Sequence, residues 1–218
     1  MKNLRVAASL ALCVTLGPAT VSKVSAATSD ARARFEAEVR EKEGALTSIL
    51  GRVRVENQNI KTKSVEVLQG RFWVRRPSKM AVVYEAPSAQ EVYCDGLTTW
   101  FYQPEVNQVT ISRGGARPVF IDFQAGFKGL LNRGDVKKVE EIEGGYRLTV
   151  KREGEMMTVR VDGKTLLPLE IESRVDEHKT KVFFSELVLN PEIPDEKFVF
   201  RVPEGTEVVE MPEEVDSR

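Results

Sequence analysis

Histidine and cysteine are nearly missing from this chain of 218 residues, which has one histidine, His178, and two cysteines, Cys13 and Cys94. A zinc site of four cysteines, or of two cysteines and two histidines, cannot be assembled from them. A histidine-based triad would rest on His178 alone, and Asp176-Glu177-His178-Lys179 reads as a polar hairpin turn. Cys94 precedes an Asp95-Gly96 turn, with no base or helix amino terminus in sight to lower its pKa, so it reads as an inert thiol. Walker A, G-x-G-x-x-G and G-x-S-x-G patterns are absent, and the pairs Glu140-Glu141 and Glu213-Glu214 read as solvated carboxylates. Nor does either sign of charge prevail: 32 Lys and Arg stand against 33 Asp and Glu, for a formal net charge of −1. A phosphate-backbone binder normally carries a basic surplus, so no nucleic-acid partner is expected. These absences predict a protein that is not an enzyme and holds no metal or cofactor.

Long apolar runs are missing as well, since none approaches the roughly 20 residues that span a bilayer. What the amino terminus does have is a short basic start, Met1-Lys2-Asn3-Leu4-Arg5, a mostly apolar run from Val6 to Leu16, and Val24-Ser25-Ala26 in a small-x-small pattern. This predicts a cleavable secretory signal over residues 1–26 and a mature chain beginning at Ala27. The rival is a lipoprotein signal with Cys13 as the modified residue, where Leu12 stands in place of the required small residue. Cleavage after Ala26 leaves Cys94 as the sole cysteine, so no intramolecular disulfide can form even in an oxidising compartment.

From Asp30 to about Leu50 the apolar positions Phe35, Val39, Leu46, Ile49 and Leu50 recur at helical spacing, predicting an amphipathic helix capped by Ser29 or Asp30. The period then changes to two. Val53 and Val55, Val65 and Val67, Phe72 and Val74, and Met80, Val82 and Tyr84 read as strands. Further strands follow over residues 91–94, 98–102 and 108–112, and then over 136–142, 146–152, 156–161, 169–175, 180–189 and 198–202. Gly144-Gly145, Glu153-Gly154 and Asp162-Gly163 mark three consecutive hairpins. Between the two runs lies a loop, Arg113 to Pro118, and a second amphipathic stretch with Phe120, Phe123, Phe127, Leu130 and Leu131. Gly126 and Gly129 weaken a helix there by about 1 kcal/mol each, which suits a movable element. The fold class expected is mainly β (α+β), a curved antiparallel half-barrel sheet of about eleven strands, covered by an N-terminal helix and a short helical lid. The domain spans residues 27–206, followed by a frayed acidic tail over 207–218.

One arrangement draws attention. Phe72 and Val74 share a face with Arg76, and the next strands add Met80, Val82, Tyr84 and Val92. Spacing alone admits two readings. In one, these residues are plain core and Arg76 faces water beside Pro77. In the other they line an apolar cavity, capped by the segment bearing Phe120, Phe123, Phe127 and Leu130, with Arg76 bonding to carbonyls of that lid.

Three blocks bear on the choice. Gln69-Gly70-Arg71-Phe72-Trp73-Val74-Arg75-Arg76-Pro77 resembles the G-x-L/F-W-V-K/R-R-P strand of the periplasmic outer-membrane lipoprotein carrier family, LolA. Tyr84-Glu85-Ala86-Pro87 and then Asp95-Gly96-Leu97-Thr98-Thr99-Trp100-Phe101-Tyr102-Gln103-Pro104 are similar to the same family, as is the ending from Phe198 to Val208. The resemblance covers essentially the whole mature chain. It implies an incomplete barrel whose concave side is covered by helices around an apolar cavity. It also implies a periplasmic, monomeric chaperone that takes lipidated lipoproteins from an inner-membrane lipoprotein-releasing ABC transporter to an outer-membrane receptor. Under it, Arg76 matches the arginine that latches the lid, Met80 stands where the family often has an aromatic residue, and Val82 and Tyr84 continue the lining. Cys94 replaces the usual serine before Asp-Gly, and the lid matches only as an apolar helix. The same fold resembles periplasmic proteins that bind or sense other lipids or glycolipids, which is the alternative. A third class is a structural or enzyme-accessory domain with a solid interior.

Overall fold

The computed structural model describes residues 19–113, 135–152 and 154–211. A helix, α1 (Ala19–Lys42), is followed by six strands: β1 (Ser48–Asn59), β2 (Val65–Arg75), β3 (Lys79–Tyr84), β4 (Glu91–Cys94), β5 (Thr98–Gln103) and β6 (Gln108–Arg113). A second run comprises β7 (Val136–Ile142), β8 (Gly145–Arg152), β9 (Glu155–Asp162), β10 (Pro168–Val175) and β11 (His178–Leu189), and β12 (Glu207–Glu210) comes last. All twelve strands form one open, curved sheet in the order β12-β6-β5-β4-β3-β2-β1-β11-β10-β9-β8-β7. Two meanders are thus joined along a single seam, where β1 pairs antiparallel with β11 from Ile49↔Leu189 to Asn59↔His178. Among the described residues no helix is long and apolar enough to cross a membrane.

Side chains alternate across each strand, and cross-strand partners share a face, so the register traces two faces through the sheet. On one face α1 packs against the second meander: Ala31, Phe35 and Val39, four residues apart along the helix, are buried with Val139, Leu148 and Val159. Phe35 meets the Tyr146 ring edge-on at 5.1 Å, and the Tyr146 hydroxyl donates to Glu38 Oε1 at 2.6 Å. Burying Tyr146 beside that carboxylate raises its pKa to about 12.

The helix differs from the expected one. It ends at Lys42, Glu43–Ala45 form one 3-10 turn, and Ile49 and Leu50 belong to β1. The alternation of β1 runs through Ile49, Gly51, Val53 and Val55, and a glycine on the inward face hides the period of two from a sequence reading.

The opposite face is covered over β2–β5 by the chain leaving β11. Residues 190–203 cross it as a strap, with Ile193 and Phe198 buried against Ala81 and flanked by Trp73 and Tyr93. Phe200 lies between Tyr93 and Tyr102, its ring 5.3 Å from each. The Lys197 ammonium sits 3.6 Å above the Trp73 ring, Arg75 donates to the Ile193 carbonyl, and Asp195 pairs with both Arg75 and Lys79. The sequence predicts a strand over residues 198–202, yet Asp195–Phe198 is a 3-10 turn and the rest makes no ladder. The alternation of Phe198 and Phe200 arises because both rings rest on the sheet beneath them.

The expected frayed tail is corrected too, because Glu207–Glu210 form β12, parallel to β6 from Glu207↔Gln108 to Glu210↔Ile111. The otherwise open edge of β6 supplies the backbone partners, and the start of β12 is fixed by Asn107, whose side chain donates to the Gly205 carbonyl and accepts from the Thr206 hydroxyl. Residues 212–218 lie outside the described residues.

Candidate functional site

The concave face of the first meander is built from rows that the register defines. One row runs Ile49, Val74, Met80, Cys94, Thr99 and Ser112 across six strands, each paired with the next. Beside it run Gly51, Phe72, Val82, Val92 and Phe101, and then Val53, Gly70 and Tyr84. Phe72, Val74, Met80, Val82, Tyr84 and Val92, read from spacing as sharing a face, therefore do share one, and all six are buried. Arg76 follows two residues after Val74. Its side chain is half-buried, its Nε is shielded from solvent, and its backbone N–H donates to the Thr47 carbonyl at 2.9 Å. Phe120, Phe123, Phe127 and Leu130 lie outside the described residues.

Several members of this face were not legible in the sequence. Val182 and Phe184 of β11 join the same cluster, and Phe184 meets Phe72 edge-on at 5.7 Å. Strand alternation flags them as facing one side, but only the pairing of β1 with β11 brings them beside Phe72. A bulge in that seam, between Leu50↔Val188 and Arg52↔Ser185, sets Leu187 over Gly51. A Cβ at Gly51 would lie 2.8 Å from Leu187 Cδ2, 2.9 Å from the Ser185 carbonyl oxygen and 3.0 Å from Phe72 Cε1, which is why the smallest residue stands there. Gly70 is tighter still, with the Val83 carbonyl 2.1 Å from where a Cβ would be.

The electrostatics of the two faces differ. On the concave side burial raises the Tyr84 pKa to about 12, as expected for a phenol that loses water around its charged form. On the outer side of the second meander, cross-strand ion pairs prevail: Lys179–Glu172 at 2.8 Å, Lys181–Glu172 at 3.3 Å and Arg160–Glu170 at 3.6 Å. The hydrogen bond from Lys179 is foremost in holding the Glu172 carboxylate below its ordinary range. Cys94 is buried on the concave face and donates its thiol to the Ser78 carbonyl, 3.4 Å away. His178 is exposed at the turn into β11, as its polar surroundings predict. The concave face is apolar through Phe72, Val74, Met80, Val82 and Val92, and its thiol and hydroxyls, Cys94, Thr99 and Ser112, lie on the β4–β6 side.

Comparison with known proteins agrees with the blocks read from the sequence. Residues 56–201 match the family model described as outer membrane lipoprotein carrier protein LolA. A protein of Alkalilimnicola ehrlichii named outer-membrane lipoprotein carrier protein is 27% identical over 214 residues, covering 92% of this chain and 92% of its own. One of the same name from Halorhodospira halophila is 32% identical over 155 residues, covering 67% of this chain and 71% of its own. The solved structure of an uncharacterised conserved protein of Thermus thermophilus shares the fold, with a TM-score of 0.53 at 14% identity over 82% of this chain and 99% of that one. The open sheet with its apolar concave face, together with these matches, shows that the chain belongs to the LolA family of outer membrane lipoprotein carrier proteins.

Proposed function

We propose that this chain is an exported periplasmic carrier that shields the acyl chains of lipidated proteins between an inner-membrane releasing transporter and an outer-membrane receptor. The observation that supports this reading is the continuous apolar concave face running through Phe72, Val74, Met80, Val82, Tyr84 and Val92. Three acyl chains of roughly 16 carbons, at about 0.8 kcal/mol per CH2, amount to on the order of 35 kcal/mol when fully exposed to water. An anchor of that kind does not cross an aqueous space unaided. A face of adaptable aliphatic side chains covers part of that surface without fixed polar hooks, which favours release as well as capture. In this reading Arg76, half-buried at the end of the apolar row with its Nε shielded from solvent, is the latch that keeps the site closed.

The test is a release assay. The mature protein is added to inner-membrane vesicles or spheroplasts holding a newly lipidated lipoprotein, and the soluble fraction is searched for a one-to-one complex. Recovery of that complex supports the carrier reading. No release, together with a free lipid or glycolipid co-purifying with the protein, overturns it in favour of a general lipid-binding role.

A further inference from the structure

The concave row that begins with Ile49, Val74 and Met80 changes character as it crosses the sheet. Its next three members are Cys94, Thr99 and Ser112, so the apolar row ends in a thiol and two hydroxyls, each paired across the ladder with its neighbour. All three are buried, at 5%, 6% and 9% exposure. The Cys94 thiol is committed to the Ser78 carbonyl. Thr99 Oγ1 is shielded from solvent and has no hydrogen-bond partner among the described residues. A buried hydroxyl left in that state is costly, and one kept on an otherwise apolar face calls for an acceptor supplied from elsewhere.

The chemistry of that acceptor can be narrowed. A water held here would need two to four polar partners, and the ladder neighbours are a thiol already in use and Ser112. A carbonyl oxygen needs only one donor. The row's own polar groups are neutral, so they favour a neutral acceptor over a charged headgroup. Neighbouring strands are about 4.8 Å apart, which puts Thr99 roughly 10 Å from Met80 along the row. An acyl chain lying over Met80 and Val74 thus has its polar end within reach of Thr99 if it is laid along the row toward β6.

We infer that Thr99 is a docking point for the ester carbonyl of a glycerol-linked acyl chain, so that the concave face recognises the linkage of its lipid as well as the hydrocarbon. This rests on the carrier reading above and refines its ligand to acyl esters as opposed to alkyl ethers. The Thr99 hydroxyl donates to the ester carbonyl, while Ser112 and Cys94 keep the surroundings polar enough to admit it.

The experiment uses the full mature chain and two probes of equal length, dioctanoylglycerol and its dialkyl ether counterpart, each titrated by displacement of anilinonaphthalene sulfonate. The wild-type protein is expected to prefer the ester by about tenfold, the equivalent of about 1.4 kcal/mol. Thr99→Val, which keeps the shape and removes the hydroxyl, is expected to bind the ether unchanged and to lose the preference, and Thr99→Ser to retain it. Equal binding of both probes by the wild-type protein overturns the inference while leaving the carrier reading intact, and that comparison needs no variant to fold. A preference that survives in Thr99→Val also overturns it. Failure of both probes to bind the wild-type protein overturns the inference and the carrier reading together.

Discussion

Gly51 and Phe72 are coupled through a contact that a double substitution can measure. Gly51 sits within β1 in ordinary extended backbone, so alanine is excluded there only by space. Its Cβ would press on the Ser185 carbonyl, the tip of Leu187 and the edge of the Phe72 ring, at 2.9, 2.8 and 3.0 Å. Gly51→Ala is therefore expected to cost about 1–3 kcal/mol, the range for overpacking a close-packed interior. Phe72→Leu removes the offending ring edge from a fully buried position. It should cost about 1–2 kcal/mol, between a volume-conserving swap and truncation to alanine. In the double variant the leucine vacates the space that the new methyl group needs, and Leu187 can rotate, leaving only the backbone carbonyl of Ser185 in the way. The combined loss should fall short of the sum by about 1 kcal/mol, well within the roughly 5–15 kcal/mol that holds a domain together. Urea unfolding of the four proteins reads this directly from midpoints at constant slope. Additivity within about 0.3–0.5 kcal/mol would refute the placement of the Phe72 ring over Gly51, and with it the floor of the concave face.

Further outcomes follow from other sites. Tyr84 has a folded-state pKa raised to about 12 by burial, above the roughly 10 of an exposed phenol, so its contribution is whole below about pH 10 and lost as pH climbs toward 12. Tyr84→Phe should flatten that alkaline decline in thermal melts, and identical alkaline limbs would contradict the burial of its hydroxyl. Arg76→Leu should keep the fold while cutting the yield of soluble carrier–lipoprotein complex severalfold in the release assay; unchanged uptake and hand-off would count against the latch. Phe198→Ala, which empties the centre of the strap, is expected to cost about 3–5 kcal/mol and to expose the amides of Val208 to Glu210 to hydrogen exchange ahead of those in β1. Unaltered protection of β12 would show that the strap does not hold it in place.

Local alternation is enough to find most of the sheet, because strands half-covered on each side repeat every two residues. Phe72, Val74, Met80, Val82 and Tyr84 are readable as one face for that reason, and so are the hairpins of the second meander from their Gly-bearing turns. Where one residue type masks the period, the boundary shifts: Gly51 interrupts the apolar alternation of β1, and Ile49 and Leu50 then fit the helical spacing of a helix that in fact ends at Lys42. A side-chain pattern that arises without a ladder, as at Phe198 and Phe200, mimics a strand. The partnership of Phe184 with Phe72 depends on pairing between strands at opposite ends of the chain, information that no window of sequence contains. Thr99 escapes for a different reason. A threonine in a strand is ordinary, and only its neighbours across the ladder and the want of an acceptor among the described residues set it apart.

The seam between β1 and β11 has a consequence for how the molecule comes into being. Val53 pairs with Phe184 and Val55 with Val182, so the central strand of the sheet waits for residues near the end of the chain before one of its edges is closed. The β6 edge waits longer still, for Glu207 to Glu210. Loop closure over such separations comes before any contact can offset it, which places the domain among slow, millisecond-to-second folders. A chain lacking only its last third would present two unpaired strand edges flanking an apolar face. Such an intermediate is prone to self-association until the strands that close those edges are in reach.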